Sequence, residues 1–284
     1  MFRKFWLLTA AILSIFTFIT PMKQAKAAAN FDTPICLTVN DTYLAMDSEP
    51  FLYAGSTFVP IRFVSSALGA DEVSWDAGKK TAVIRDGGTT IRLPIGKKVA
   101  YINGSRVSVD KSVMLVNDRT YVPVRFVAEH LGCTVSWDSA SYTVLIRKKG
   151  SVVPEALRAE PKYDKDEIYW LSKIIHAESQ GEPMEGKIAV GNVILNRVES
   201  PEFPSTIYSV IFDRNYGVQF SPTLDGSIYQ TPLGDSVIAA KRALRGEKTV
   251  GKSLYFLNPK TAESPWIINN RKYYKTIANH DFYL

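Results

Sequence analysis

Apolar and polar side chains alternate in short segments of the first half of the chain, as in residues 81–85 (TAVIR) and 142–147 (YTVLIR). A period of two is typical of β-strands that bury one face. From about residue 164 onward, apolar positions recur three and four residues apart, which is typical of helices. The pattern therefore predicts an α+β chain with a β-rich first part and a mainly helical second part.

The β-rich part contains an internal repeat, with copies at about residues 37–86 and 100–148. Residues 57–64 (TFVPIRFV) match residues 120–127 (TYVPVRFV), and each copy continues with Leu-Gly, Ser-Trp-Asp and an alternating strand. Self-similarity at this period indicates two copies of one supersecondary unit.

Each unit is predicted to hold strands, one short helix, a turn and a final strand. Pro60 and Pro123 stand where a helix begins without losing a backbone donor, and the glycine of each Leu-Gly pair stands where it ends. We expect Trp75 and Trp137, from the Ser-Trp-Asp segments, to pack each helix onto its strands.

In the second part, a helix is predicted to begin after Asp164, which has capping-box spacing to the glutamate three residues on, and to run to about Ser179. A Gly-Glu-Pro break precedes a second helix over residues 184–198, which is apolar on most faces and therefore belongs inside the domain. Asn192 and Asn196 lie on one stripe of that helix, so both need buried partners, either each other or a neighbouring loop.

Two further helices are predicted, one capped by Ser205 or Thr206 and one capped by Asp235 and ended by Gly246. Between them, residues 213–231 form a long loop rich in polar and aromatic side chains. Such loops often form clefts for carbohydrate, although an ordinary surface loop is the alternative.

One carboxylate, Glu178, occupies a position where an acid is not expected. Leu171, Ile174 and Ile175 lie seven, four and three residues before it, so all four side chains share one helix face. A carboxyl group among aliphatic side chains is poorly hydrated when charged, which raises its pKa and suits it to general acid catalysis. The alternative is a helix that frays before Glu178 and leaves its carboxylate in water.

Residues 1–27 are predicted to be a signal peptide, with an uncleaved membrane anchor as the alternative. Arg3 and Lys4 precede an apolar run over residues 5–19, and residues 25–27 (AKA) form a small-x-small cleavage site. The segment holds four basic and no acidic residues, so its removal lowers the formal charge from +6 to +2. The remaining charge gives no reason to expect nucleic-acid binding, and we expect an exported protein without a stable membrane span.

The organisation predicted after the signal peptide is a repeat domain over residues 28–148, a linker over residues 149–163 and a second domain over residues 164–284. The linker is polar, carries two prolines and has no sustained periodicity. Cys36 and Cys133 lie far apart, so a disulfide and two buried free thiols both remain open.

The second domain offers few groups for metal or nucleophile chemistry. His176 and His280 are its histidines, and a zinc amidase would need both of them plus a carboxylate. The domain has no cysteine, no Gly-x-Ser-x-Gly and no phosphate-binding glycine loop. We therefore predict no metal and no cofactor, which leaves acid chemistry by Glu178.

The repeat, over about residues 31–148, resembles the copper amine oxidase N-terminal-like domain, a module of exported bacterial proteins. The resemblance rests on VPxRFV, Leu-Gly and Ser-Trp-Asp segments that each occur twice. His130 is the histidine of this half and stands alone, so the sequence supplies no copper site. The domain is interpreted as a spacer or wall-contact module.

The second domain, over about residues 167–284, is similar to the germination-type, spore-cortex-lytic family of cell wall hydrolases. The similarity is strongest at residues 177–183 (AESQGEP) and 186–198 (GKIAVGNVILNRV). Further matches are Gln219-Phe220-Ser221, residues 255–259 (YFLNP), Ile277, His280, Phe282 and Tyr283.

This resemblance implies a lysozyme-like, goose-type helical domain that cleaves peptidoglycan glycan strands between N-acetylmuramic acid and N-acetylglucosamine. It implies Glu178 as the catalytic glutamate of a lytic transglycosylase, which needs neither water nor a second carboxylate. Gln180 stands where family members often carry arginine, so a positive charge near the acid is expected to be absent. The candidate sugar-binding residues are Gln219, Phe220, Ser221, Tyr229, Tyr255 and Asn258.

Three alternatives remain: a water-using muramidase, an amidase-type wall hydrolase, and a non-catalytic wall-binding protein. The candidates for the second carboxylate of a muramidase are Asp213, Asp225, Asp235 and Glu182, of which Asp213 and Asp225, in the long loop, are favoured. The predicted partner is peptidoglycan and not nucleic acid, and the predicted location is the cell wall outside the cell, which includes the spore. Spore cortex and vegetative wall both remain possible substrates, and the oligomeric state stays open.

Overall fold

The computed structural model describes residues 33–262 and 264–284, so the predicted signal peptide lies outside the described residues. Within them, strands dominate up to residue 159 and helices dominate from residue 165. The α+β composition predicted from the sequence pattern is confirmed. No helix in the described ranges is long and apolar enough to cross a bilayer.

The β-rich part consists of short strands and two seven-residue helices. Its elements in chain order are β1 (Cys36–Val39), β2 (Thr42–Leu44), β3 (Phe51–Tyr53), β4 (Ser56–Pro60), α1 (Ile61–Ala67), β5 (Glu72–Asp76), β6 (Thr81–Asp86), β7 (Thr89–Pro94), β8 (Val99–Ile102), β9 (Ser105–Ser108), β10 (Met114–Val116), β11 (Arg119–Pro123), α2 (Val124–His130), β12 (Thr134–Asp138), β13 (Thr143–Arg147) and β14 (Arg158–Ala159).

Three sheets build this part, with strand orders β12-β13-β1-β2-β14, β10-β11-β4-β3 and β5-β6-β7-β8-β9. β1 runs parallel to β13, with Cys36 opposite Thr143, so the start of the first copy completes the sheet of the second copy. Aliphatic side chains from all three sheets and both helices meet in one core.

The central sheet pairs the two copies directly. β4 and β11 are antiparallel, and Val59 lies opposite Val122, its counterpart in the sequence repeat. Each of these strands also closes a hairpin, β3–β4 in the first copy and β10–β11 in the second. The hairpin of each copy therefore lies beside the helix and strands of the other copy.

The two tryptophans do not pack as expected. Trp75 and Trp137 remain 44% and 39% exposed, and the helices are instead held by fully buried residues such as Val64 and Val127. The reason is that an open groove separates β5 from the β10–β11 hairpin, and a second groove separates β12 from the β3–β4 hairpin. Each indole faces one of these grooves.

The C-terminal part is mainly helical, with one small sheet of order β15-β17-β16. Its elements are α3 (Lys165–Ser179), α4 (Met184–Glu199), α5 (Ile207–Ile211), α6 (Pro222–Asp225), α7 (Gly234–Leu244), β15 (Tyr255–Leu257), α8 (Trp266–Asn270), β16 (Tyr273–Ile277) and β17 (His280–Tyr283).

Helices α3, α4 and α7 pack against one another around buried aliphatic side chains. The Asp164 carboxylate accepts hydrogen bonds from two backbone N–H groups of the first turn of α3, at 2.8 and 3.1 Å, as a capping residue does. The predicted cap of α7 is wrong, because Leu233 occupies that position and Asp235 lies in the first turn. Asp235 instead pairs with the buried ammonium of Lys187 at 3.2 Å.

Asn192 and Asn196 on α4 bind the loop of residues 247–253 and not each other. Asn192 donates to the Glu247 carbonyl at 2.7 Å and accepts from the Thr249 N–H at 2.8 Å. Asn196 donates to two further carbonyl groups of this loop, both at 2.9 Å. These bonds fix the segment that leads into β15.

The predicted linker is partly incorporated into the repeat domain. Arg158 and Ala159 form β14, which pairs antiparallel with β2, so this stretch extends a sheet of the repeat domain. Cys36 and Cys133 are both buried free thiols, which decides between the two possibilities that the sequence left open.

The two parts of the chain meet at a buried lysine. The Lys241 ammonium on α7 donates to the Ser141 carbonyl at 2.8 Å and lies 3.5 Å from the Cys36 sulfur, and the side chain is fully buried. Burial lowers the pKa of Lys241. Nearby, the Glu49 carboxylate accepts from Arg245 at 2.8 Å.

Gly234, the first residue of α7, lies directly against the Tyr142 ring of the repeat domain. A Cβ atom on Gly234 would stand 2.0 Å from the Tyr142 hydroxyl oxygen and 3.0 Å from Cζ. The contact between the two parts therefore requires glycine at this position.

We expect Gly234→Ala to weaken this contact, because the added methyl group displaces the Tyr142 ring. The free energy of unfolding should fall by about 1–3 kcal/mol in chemical denaturation, the usual cost of overpacking. Tyr142→Ala removes the clash, so the glycine substitution should cost much less in that background. Equal losses in both backgrounds would contradict the contact.

Candidate active site

A groove of about 1110 Å³ lies where the ends of α3 and α4 meet the small sheet, and the loop of residues 216–221 and α8 complete its walls. Its volume exceeds the usual 300–1,000 Å³ of small-molecule sites, which suits a segment of a polymer. The lining residues are Glu178, Arg197, Glu202, Phe203, Tyr216, Val218, Gln219, Phe220, Ser221, Tyr255, Phe256, Leu257, Asn258, Thr261, Trp266, Ile267, Arg271 and His280.

Glu178 projects into this groove from the last turn of α3. Leu171, Ile174 and Ile175 on the same face are fully buried, so the helix persists up to the acid and does not fray before it. Glu178 itself is half-buried. The packed face of the helix thus carries the carboxyl group from the core to the floor of the groove.

The pKa of Glu178 is raised from 4.5 to about 7. Burial is the largest cause, because the surroundings hydrate the carboxylate poorly. The negative charge of Asp225 raises the pKa further, whereas the positive charge of Arg197 opposes the rise. At neutral pH a large fraction of Glu178 therefore holds its proton.

Arg197, on the last turn of α4, supplies a buried positive charge beside the acid. Its Nε donates to the Leu254 carbonyl at 2.7 Å, its Nη1 donates to Gln219 at 3.3 Å, and its guanidinium lies 4.7 Å from the ring centre of Phe203. Burial lowers its pKa to about 10, so it stays charged at neutral pH. The expectation drawn from Gln180, that no positive charge lies near the acid, is wrong because α4 provides one.

Five of the six predicted sugar-binding residues line the groove. Phe220 is buried beneath it, with its ring centre 6.4 Å from that of Phe256. The neighbouring polar side chains lie on the loop before α6 and at the end of β15. The five residues are Gln219, Phe220, Ser221, Tyr255 and Asn258.

Tyr229 is not among the residues that line the groove, so the groove gives no support to its predicted contact with sugar. Its side chain is 60% exposed and meets Trp170 edge-on, with ring centres 6.4 Å apart. The Tyr229 carbonyl accepts from Nζ of Lys173 at 3.0 Å. This bond holds the turn against α3, outside the groove.

A stacked wall of Tyr255, Arg271 and Trp266 was not identified from the sequence. The Arg271 guanidinium lies 4.3 Å from the ring centre of Tyr255 and 5.1 Å from that of Trp266. Trp266 is exposed, so the wall offers a flat apolar face beside hydrogen-bond donors. Trp266 and Arg271 stand at the two ends of α8 and Tyr255 lies on β15, so the packing of these two elements brings the three side chains together, and no periodic pattern joins them.

Two histidines of this part are buried, and burial lowers the pKa of each. His280 lines the groove with its ring centre 5.3 Å from that of Phe256, and its Nδ1 has no hydrogen-bond partner. His176 lies in the last turn of α3, and its Nδ1 also lacks a partner. Within residues 33–262 and 264–284, no group of three or more His, Cys, Asp or Glu side chains is placed to hold a metal ion.

Three further carboxylates bear on the site. Asp225 is exposed and accepts from the Ser227 N–H at 2.8 Å, and hydrogen bonding to Ser227 lowers its pKa, so it is charged at neutral pH. The negative charge of Asp213 raises the pKa of Arg197. Glu202 lines the groove and was not singled out from the sequence.

Two protein families match the chain. The copper amine oxidase N-terminal domain family matches residues 38–146, and the Cell Wall Hydrolase family matches residues 181–283. Cell wall hydrolase CwlJ of Oceanobacillus iheyensis is 30% identical over 107 residues, which cover 36% of this chain and 74% of that protein. The chain belongs to the cell wall hydrolase family. Both resemblances found in the sequence are thereby confirmed.

Other relatives of the chain are spore cortex-lytic enzymes. The enzyme of Bacillus cereus is 38% identical over 136 residues, which cover 48% of this chain and 49% of the relative. The enzyme of Bacillus subtilis strain 168 is 38% identical over 120 residues, which cover 42% and 38%. The chain thus spans about half or less of the length of these curated relatives.

Among solved structures, the hydrolase is similar to the catalytic domain of the germination-specific lytic transglycosylase SleB from Bacillus anthracis. The identity is 38%, the TM-score is 0.41, and the match covers 44% of this chain and 100% of that one.

Arg197 is the functional side chain that sequence reasoning should have found. It stands near the end of a helix whose other faces are largely apolar. A charge on such a helix is buried only where a partner or a site compensates for its lost hydration. That signal was present in the sequence but was not used.

We expect the Glu178 carboxyl carbon of the hydrolase to titrate near pH 7 in NMR spectra. Asp225→Asn removes a negative charge and should lower that midpoint by about half a pH unit. Asp166→Asn is the matched control, because it lies on the same helix about 18 Å away and should leave the midpoint unchanged. A midpoint near 4.5 in the native protein would contradict a desolvated acid.

We also expect Glu178→Gln to stabilise the hydrolase at high pH. Folding raises the pKa of Glu178 from 4.5 to about 7, so its stabilising contribution is complete below pH 4.5 and is lost as the pH rises through 7. Between pH 4.5 and 7, the free energy of unfolding of the variant should rise by about 2–3 kcal/mol relative to that of the wild type. Urea denaturation at several pH values measures this, and a difference independent of pH would refute it.

Proposed function

We propose that the chain is a peptidoglycan lytic transglycosylase that cleaves the bond between N-acetylmuramic acid and N-acetylglucosamine, with Glu178 as its single catalytic residue. The observation that carries the proposal is a half-buried glutamate, with a pKa of about 7, that faces a groove with aromatic and hydrogen-bonding walls. A general acid is most effective when its pKa lies near the working pH. Membership of the cell wall hydrolase family supports the substrate class.

In the first step, protonated Glu178 donates its proton to the glycosidic oxygen while the bond from that oxygen to C1 of the muramic acid breaks. The N-acetylglucosamine side leaves as an alcohol. The Glu178 carboxylate then takes the proton of the 6-hydroxyl group of the same muramic acid, and that oxygen bonds to C1. The product carries a 1,6-anhydro end, Glu178 is protonated again, and no water is consumed.

The two charges near Glu178 support opposite halves of this cycle. The buried guanidinium of Arg197 stabilises the carboxylate that exists between the two proton transfers. Asp225 favours the protonated form and so promotes the return of the proton. Together they keep the acid able to give and to take a proton near neutral pH.

The groove residues fit the handling of sugar rings. Tyr255 and Trp266 present flat faces on which the apolar side of a pyranose packs, and Gln219, Ser221 and Asn258 carry groups that exchange hydrogen bonds with hydroxyl and acetamido groups.

We also propose a goose-type, lysozyme-like arrangement for the helical domain. Its support is an acid at the C-terminal end of a buried helix, beside a groove walled by a small antiparallel sheet. For the repeat domain we propose two copies of one unit, supported by matching registers, since Trp75 lies opposite Ala82 and Trp137 opposite Val144.

Spore cortex is the substrate that we favour, and export through the predicted signal peptide is the route to it. The names of the Bacillus relatives support the cortex. Cortex and vegetative wall share the glycosidic bond, so the same acid acts on either.

A water-using muramidase is the second candidate, and the carboxylates around the acid favour it. Asp225 is close enough to raise the pKa of Glu178, and Glu202 lines the groove. Hydrolysis by a carboxylate pair needs such a second acid as base or nucleophile.

We expect Glu178→Gln, which is nearly isosteric, to reduce lysis of purified cortex by about 10² to 10⁴-fold without unfolding the protein. The wild-type rate should fall about tenfold per pH unit above pH 7, because the reacting form is protonated. Turbidity measures the rate, and mass spectrometry of the fragments should show anhydro ends, which are lighter by one water than reducing ends.

Glu202→Gln and Asp225→Asn serve as tests of the second candidate. Under transglycosylation Glu202→Gln should keep most of the activity, and Asp225→Asn should lose only a few-fold near neutral pH, because it lowers the pKa of Glu178 by about half a unit. Reducing ends alone, with a loss in either variant as large as that of Glu178→Gln, would identify the muramidase. Near-normal lysis by Glu178→Gln would refute both candidates.

A further inference from the structure

Two open grooves in the repeat domain have the same construction. The first, of about 600 Å³, is lined by the start of α1 and by β5 of the first copy, and on its other side by the β10–β11 hairpin of the second copy. The second, of about 500 Å³, is lined by the start of α2, by β12 of the second copy and by the β3–β4 hairpin of the first. We call them the Trp75 groove and the Trp137 groove.

Eleven lining residues of one groove are counterparts, in the sequence repeat, of eleven lining residues of the other, among them Arg62 and Arg125, Trp75 and Trp137, and Leu115 and Leu52. The Trp137 groove has seven further lining residues without such a counterpart, and the Trp75 groove has Asn117. The match follows from the antiparallel pairing of β4 with β11. This pairing places the hairpin of each copy beside the helix and strands of the other copy, so both grooves are built from the same two kinds of element.

Packing accounts for only part of the indole at the centre of each groove, as where Trp137 meets the Tyr142 ring edge-on with ring centres 5.0 Å apart. Tryptophan is highly buried on average, yet both copies leave it more than a third exposed. In each sheet its cross-strand neighbour, Ala82 or Val144, is buried. The same strand position therefore presents a flat apolar face to solvent twice in one domain.

Polar side chains surround each indole. Arg125 donates to the Val135 carbonyl at 2.8 Å and to Glu129 at 3.3 Å, which fixes its guanidinium at the Trp137 groove. In the Trp75 groove, Arg62, Asn117 and Asp118 provide donors and acceptors. Neither lining is uniformly charged, so a polyanion or a polycation is not the matching ligand.

An indole face ringed by guanidinium, amide, hydroxyl and carboxylate groups matches the surface of a pyranose. One side of a sugar ring is covered by C–H groups and packs on an aromatic face, while its hydroxyl groups point outward as donors and acceptors. A repeating glycan also presents the same sugar many times, which suits two like grooves.

We propose that the Trp75 and Trp137 grooves bind sugar residues of peptidoglycan glycan strands, so that the repeat domain is a bivalent carbohydrate-binding module. The choice of polymer rests on the proposed function of the other domain. Two linked sites on one polymer bind about 10² to 10⁴-fold more tightly than either alone. Tyr142 lines the Trp137 groove and also contacts Gly234, so that groove is held against the catalytic domain.

The test uses the full chain with Glu178→Gln, so that the wall stays intact, and measures co-sedimentation with purified insoluble sacculi. We expect Trp75→Ala and Trp137→Ala each to weaken binding by about a hundredfold or more, because each leaves one site without its linked partner, and the double variant should bind more weakly still. Tyr101→Ala is the matched control, because Tyr101 is an exposed aromatic residue on β8 that lines neither groove, and it should bind normally. Unchanged binding of the double variant would overturn the proposal.

Soluble oligomers of N-acetylglucosamine identify the ligand chemistry. They should quench tryptophan fluorescence more in the parent than in the double variant, whereas a response confined to soluble stem peptide would overturn the assignment to glycan. Trp75→Tyr and Trp137→Tyr keep an aromatic face and should retain most of the binding, so loss of binding in those variants would count against stacking. Circular dichroism verifies that each variant is folded.

Binding is measured with the Glu178→Gln variant and lysis with the wild type, so each proposal has its own test. Normal lysis together with unchanged binding of the double variant would refute the carbohydrate-binding module and support the enzyme. Absent lysis together with binding that depends on the two tryptophans would refute the enzyme and support a wall-binding protein.

Discussion

The desolvation of one carboxyl group is the constraint on which the site depends. Glu178 lies at the end of a helix whose preceding face is fully buried, so its carboxyl emerges from the core at the floor of a groove. The charged form is disfavoured there, and the pKa rises to about 7. Arg197 limits that rise, and because it is itself buried, its charge acts through a poorly screened medium. A protonated acid beside a fixed cation is the arrangement that reversible proton transfer requires.

The surrounding fold keeps this arrangement in place. The amides of Asn192 and Asn196 bind the loop before β15, and Arg197 donates to the carbonyl of Leu254 at the end of that segment. One helix therefore positions both the cation and the sheet that walls the groove. Buried polar groups of this kind are stable only when they are hydrogen-bonded, so the same bonds that satisfy α4 also define the shape of the site.

Much of the helical domain was predictable because its signals are local. The capping residue Asp164, the end of α3 at Ser179 and the start of α4 at Met184 follow from residues within one or two turns. Glu178 was found in the same way, from three aliphatic neighbours on its face. Trp266 and Arg271 were missed because they reach the groove only when α8 packs beside β15, whereas the apolar faces of α4 are a local signal for the burial of Arg197. The place of Tyr229 was not predictable, because a hydrogen bond from Lys173 to its carbonyl holds the turn against α3, away from the groove lining.

The sequence by itself determined the α+β composition, the internal repeat, the family and Glu178 as the candidate acid, because periodicity and short motifs are properties of neighbouring residues. Only the tertiary structure decided that the acid has a buried cation beside it, that the cysteines are free and that the repeat tryptophans face solvent. Those features depend on how distant segments pack. The antiparallel pairing of β4 with β11 exchanges hairpins between the two copies, and no pattern within either copy contains that exchange.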